Sequence, residues 1–66
     1  MVAPPEVLLL EDDLEELSAL EEVVRGVRLE PLPTSGPRQA LLRLAHHAPL
    51  LAVIDLDMSL AAASER

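Results

Sequence analysis

The chain contains no aromatic residue, no cysteine and no lysine, and each absence removes a class of function. Without Phe, Tyr or Trp there is no platform on which unpaired bases stack, which sets aside the single-strand nucleic-acid binders. Without Lys, the five basic residues are all Arg and stand scattered along the chain against twelve Asp and Glu, a net charge of -7 that repels a phosphate backbone. Without Cys there is neither a disulfide framework nor a thiolate metal site, so metal chemistry rests on carboxylate oxygens or on the two histidines. No apolar run approaches a membrane span, and Met1 to Glu6 has neither the basic nor the apolar portion of a signal peptide. The expectation is a soluble, cytoplasmic protein with neither nucleic acid nor membrane as a partner.

What is present is aliphatic and acidic. Half of the 66 residues are hydrophobic, so the core is built from Leu, Val, Ile and Ala. A single domain of this size buries only about 60% of the surface its unfolded chain exposes, which makes that core marginal. The organising stretch is Val7 to Asp13, where Val7, Leu8, Leu9 and Leu10 run directly into Glu11, Asp12 and Asp13. Four apolar residues without alternation suit a strand covered on both faces, as in the middle of a parallel sheet. Acids after such a strand have two uses: they cap and favour the N-terminus of a following helix, or they line the carboxyl edge of the sheet, where open α/β folds bind ligands.

The remaining elements follow in alternation. A strand is expected over residues 6–11. A helix over 13–25 carries Leu14, Leu17, Leu20 and Val24 on one face and Glu15, Glu16 and Glu22 on the other. Gly26 is placed to stop that helix in the left-handed conformation. Residues 27–33 alternate and contain Pro31 and Pro33, which marks an edge strand because proline supplies no ladder donor. Thr34 to Gly36 make a turn, and Pro37 opens a second helix over 36–48 with Leu41, Leu44, Ala45 and Ala48 on its packed face. His46 and His47 close it; adjacent residues diverge on a helix, so they read as polar helix-end residues and not as a ligand pair. Leu50 to Ile54 repeats the uninterrupted apolar pattern, ends in Asp55 and Asp57, and is expected as an interior strand over 50–55, followed by the start of a third helix over 59–66.

These pieces assemble into a βαβαβ unit of three parallel strands in the order 2-1-3 with one helix on each face, a flavodoxin-like α/β half domain spanning residues 1–66. The first and third strands are then neighbours at the switch point of the winding, which gathers Glu11, Asp12 and Asp55. Converging carboxylates repel, and a hard divalent cation such as Mg2+ relieves them. A carboxylate beside bound Mg2+ is also suited to accept a phosphoryl group.

At these residues the chain resembles the receiver domain of two-component response regulators. The stretch from Val7 to Asp13 is similar to that family's first strand and acidic pair, the stretch from Val53 to Met58 to its third strand and phosphoacceptor motif, and Thr34 to Leu42 to its second turn and helix. The resemblance implies that Asp55 is the phosphoacceptor, that Glu11 and Asp12 hold Mg2+, that Asp57 offers the metal its backbone carbonyl, and that a histidine kinase or a phosphotransfer protein is the partner. It implies a signalling module and not an enzyme.

The chain also departs from that family. Ser59 stands where a proline is usual, Leu60 to Ala63 replaces a glycine-containing loop, and the two further strands that carry a responding Ser or Thr and a Lys have no counterpart before Arg66. With no lysine to stabilise the product charge, Asp55 is expected to be phosphorylated slowly or not at all. An unphosphorylated interaction or dimerisation module is the alternative, and Asp55-Leu-Asp57 is also similar to the nucleophile motif of haloacid-dehalogenase-type phosphatases. Because the third strand lacks an outer neighbour, a homodimer joined along that edge is expected.

Overall fold

The computed structural model of the protein describes residues 3–55. Asp57 and the helix expected over 59–66 lie outside the described residues. Five elements follow in order: β1 (Glu6–Leu10), α1 (Leu14–Gly26), β2 (Glu30–Thr34), α2 (Pro37–His46) and β3 (Leu51–Ile54). The strands form one parallel sheet in the order β2-β1-β3, a small flavodoxin-like α/β half fold.

β1 is the centre because its side chains serve both faces. Val7 and Leu9 point to one side, where Leu17 and Val24 of α1 meet them with Leu20 and Leu29 at the margin. Leu8 points to the other side, against Leu32 of β2 and Ala40 of α2, with Leu10 beside them. Each helix thus covers one face, over β1 and β2. Full burial stabilises a side chain of this kind by roughly 1.5–3 kcal/mol, and Leu9, with no exposed surface, has the most to lose on truncation. Ala40 is the buried α2 residue against the sheet, whereas the expected Leu41, Leu44, Ala45 and Ala48 are all exposed. The small side chain lets the helix approach Leu8 and Leu32, while Leu41 and Leu42 face outward.

The edge formed by β2 is chemically closed. The Glu30 N–H donates to the Pro5 carbonyl (2.9 Å), and the Thr34 carbonyl accepts from the Glu11 N–H (3.1 Å). In a parallel ladder the groups turned toward the neighbour alternate, so residues 30, 32 and 34 address β1. Pro31 and Pro33 then occupy the positions whose N–H would point away from the sheet, and proline has none.

Two helix ends explain where the boundaries depart from expectation. Asp13 is the N-cap of α1, its carboxylate accepting from the N–H groups of Glu15 (2.9 Å) and Glu16 (3.3 Å). At the other end the helix runs through Gly26, and the left-handed residue is Arg28, at φ 63°. The Leu29 N–H donates to the Val24 carbonyl and the Arg28 N–H to the Arg25 carbonyl, the two bonds of a Schellman closure, and Leu29 packs onto the cluster containing Val24 as that motif requires. The apolar contact sets which residue turns left-handed, and Gly26 lies two residues too early to take it. The same closure uses residues 27–29, so β2 begins at Glu30 and not at Val27.

α2 ends at His46, two residues before the expected limit. His47 has extended backbone, and its Nδ1 lies 3.1 Å from both carboxylate oxygens of Glu6, tying the helix end to the start of β1. The largest correction concerns β3, which is exposed throughout and is not the interior strand its apolar run suggests. It is held by its ladder with β1, Val7 beside Leu51 through Leu10 beside Ile54, and packs closely against neither helix.

Left-handed backbone costs a residue with a Cβ roughly 1–2 kcal/mol, and glycine avoids that cost. Arg28→Gly is therefore expected to stabilise the protein by about 0.5–1 kcal/mol after the added freedom of the unfolded chain is set against it, whereas Leu9→Ala should lose about 2–5 kcal/mol. Thermal or urea unfolding of the two variants measures both.

Candidate functional site

The carboxyl edge of the sheet collects the acids. Glu11 immediately follows β1, Asp55 immediately follows β3, and the register that sets Leu10 beside Ile54 sets these two next to each other. The Asp55 N–H donates to the Leu10 carbonyl (2.9 Å), extending the ladder by one bond to the site. Asp12 turns in from the loop before α1, and one carboxylate oxygen from each of Glu11, Asp12 and Asp55 lies within 4.8 Å of the others. Glu11 is covered, Asp55 half-buried and Asp12 exposed. Of the acids at the end of β1, Asp13 stays apart as the helix cap. Asp57, the fourth expected metal residue, lies outside the described residues.

Glu11 is the fixed member. Its Oε1 accepts from the Asp13 N–H at 3.0 Å, and its own N–H is bound to the Thr34 carbonyl. Thr34 in turn is buried, with its Oγ1 donating to the Leu9 carbonyl at 2.6 Å. It ends β2 and does not belong to the turn expected at 34–36. A residue at the end of the neighbouring strand thus clamps the backbone from which Glu11 projects. The signal available in the sequence was a β-branched hydroxyl residue directly after Pro33, a residue suited to a strand end as well as to a turn.

The electrostatics record crowding of like charge. The Asp13 amide favours the ionised form of Glu11, but burial, a hydrogen bond and charge repulsion from Asp55, and a hydrogen bond with Asp12 together outweigh it and raise the pKa from 4.5 to about 7. Beside the acids an open cleft of about 380 Å³ lies between α1 and β3, lined by Glu16, Leu20 and Val23 on one wall and Val53 and Ile54 on the other. His46 and His47 are at the opposite end of the sheet, where His47 pairs with Glu6, and they contribute nothing to this group.

Carboxylate oxygens this close together suit Mg2+ or Mn2+ in chemical type. Among the described residues no helix is long and apolar enough to cross a membrane. No protein-family model, no curated protein and no solved structure matches this chain.

Because folded Glu11 holds its proton more tightly than unfolded Glu11, the folded state carries more protons between pH 4.5 and about 7. Stability from this group is complete below that window and is lost as pH rises through it. In metal-free buffer the melting temperature should fall between about pH 5 and about pH 8, and Glu11→Gln should flatten that part of the profile. An unchanged slope in the variant would place the responsible group elsewhere.

Proposed function

We propose that this chain is a receiver-like module of a phosphorelay, with Glu11 and Asp12 as its Mg2+ site and Asp55 as its phosphoacceptor. The observation that carries the reading is the convergence of these three carboxylates at the β1/β3 carboxyl edge, the place where doubly wound sheets bind ligands. The raised pKa of Glu11 supports it as well, since a group short of counter-charge gains most from a divalent cation. When bound, the cation supplies charge neutralisation for an incoming phosphoryl group.

The chain's own residues then have separate tasks. Glu11 is held by the Asp13 amide and by Thr34, and at neutral pH it would give up its proton on holding a cation. Asp12, exposed at the rim, is the group reached first from solvent. Asp55 supplies the carboxylate oxygen that bonds to phosphorus as the P–N bond of a phosphohistidine donor breaks, and the departing imidazole takes up a proton. A histidine kinase or a phosphotransfer protein is the donor this chemistry implies, and a cytoplasmic location goes with it. The chain has no lysine to pair with the phosphoryl group, so transfer is slow and the module does not turn over substrate as an enzyme.

The exposed third strand favours a second reading, an interaction module whose acids are never phosphorylated. The phosphatase reading is disfavoured, since its nucleophile belongs on the first strand and Asp55 follows the third.

Mg2+ at ten times its dissociation constant should stabilise the fold by about 1.4 kcal/mol, and Asp12→Asn should remove that gain; thermal unfolding with and without metal measures it. Intact-mass analysis after acetyl phosphate treatment with Mg2+ should show slow, partial labelling that Asp55→Asn abolishes. Labelling that persists in the variant would misassign the acceptor, and no labelling of the metal-bound wild type would favour the interaction module.

A further inference from the structure

The two edges of the sheet are not equivalent. On β3, the bond from the Asp55 N–H to the Leu10 carbonyl fixes which groups address β1. By ladder alternation the N–H and C=O groups of Ala52 and Ile54 point outward, and no described residue pairs with them. β2 carries prolines at its corresponding positions, but β3 has neither proline nor charge from Leu50 to Ile54. Leu50, Leu51, Val53 and Ile54 are 64%, 46%, 38% and 53% exposed. An apolar strand whose outward donors and acceptors are taken by no other described residue is a template for another strand.

We infer that the occupant is the β3 strand of a second copy, paired antiparallel about a two-fold axis to give one six-stranded sheet in the order 2-1-3-3-1-2. Three features favour a copy of this chain. The same four residues are apolar on both sides, so the edge is complementary to itself, as an isologous contact requires. Antiparallel pairing sends the two groups of Glu11, Asp12 and Asp55 to opposite ends of the joined sheet, which keeps two chains of net charge -7 from meeting acid to acid. The proline edge of β2 then closes both ends, so assembly stops at two copies and does not continue into a fibre.

The area sets the strength. The exposed parts of these four side chains amount to at most roughly 300–400 Å² per copy, of which edge pairing covers only a part, so the interface is of the small, transient class below the standard range. The dimer therefore dissociates on dilution through the micromolar range. It depends only on the β3 edge, and its failure would leave the metal and phosphoacceptor assignments untouched.

Sedimentation of the full chain across that range tests the inference. Twice the monomer mass is expected at the upper end, and Ala52→Pro, which removes an outward donor without breaking a bond to β1, should raise the dissociation constant at least about tenfold. Hydrogen exchange on the unmodified chain reads the same contact without a variant: the Ala52 and Ile54 amides should gain protection as concentration rises. A compact monomer at every concentration would overturn the inference, and protection of these amides in that monomer would assign the edge to residues 56–66 instead. A folded Ala52→Pro chain that dimerises as tightly as the wild type would also overturn it.

Discussion

β1 hydrogen-bonds along both edges and packs on both faces, and each other element is placed by one of those four contacts. Its odd-numbered side chains seat α1 and its even-numbered ones seat β2 and α2 across the other face. Its two edges receive β2 and β3. With only seven buried hydrophobic side chains among the described residues, three of them on β1, the fold has little redundancy. The acids share this dependence, because Glu11 continues β1 and Asp55 is delivered to it by the register of β3.

A strand that must be apolar to hold two faces together, and acidic one residue later, produces the tension at the carboxyl edge. The same closeness that brings Glu11 and Asp55 into hydrogen-bonding range makes it costly for both to be charged, and the result is the raised pKa of Glu11. A proton on Glu11 relieves that tension, and at the proposed metal site a divalent cation would compete with it near neutral pH. The far end of the sheet has a milder arrangement, in which Glu6 meets the imidazole of His47. One end of β1 thus sets a single carboxylate beside an imidazole, and the other gathers three carboxylates.

Much of this was legible in the residues. The run from Val7 to Leu10 identified the central strand, Pro31 and Pro33 identified the edge, and together they gave the order 2-1-3 and the meeting of Glu11, Asp12 and Asp55. Three features were not legible, each for a physical reason. Arg28 takes the left-handed position because Leu29 must reach Val24, a tertiary contact that overrides the commoner glycine signal at Gly26. Thr34 was assigned to a turn because it precedes Ser35 and Gly36, and its role depends on the distant Leu9 carbonyl. β3 was read as interior because an uninterrupted apolar run looks the same whether neighbours cover it or leave it open; only the placement of both helices over β1 and β2 distinguishes the two cases.

In the proposed function, three carboxylates from two strand ends form one cation site. Paramagnetic broadening of amide resonances by substoichiometric Mn2+ tests it most directly. The account predicts that signals of Glu11, Asp12 and Asp55 broaden first and together, while those of Glu6 and Glu30 at the opposite end of the sheet stay sharp. Broadening spread evenly over the acidic residues, or centred on Glu21 and Glu22 of α1, would contradict it.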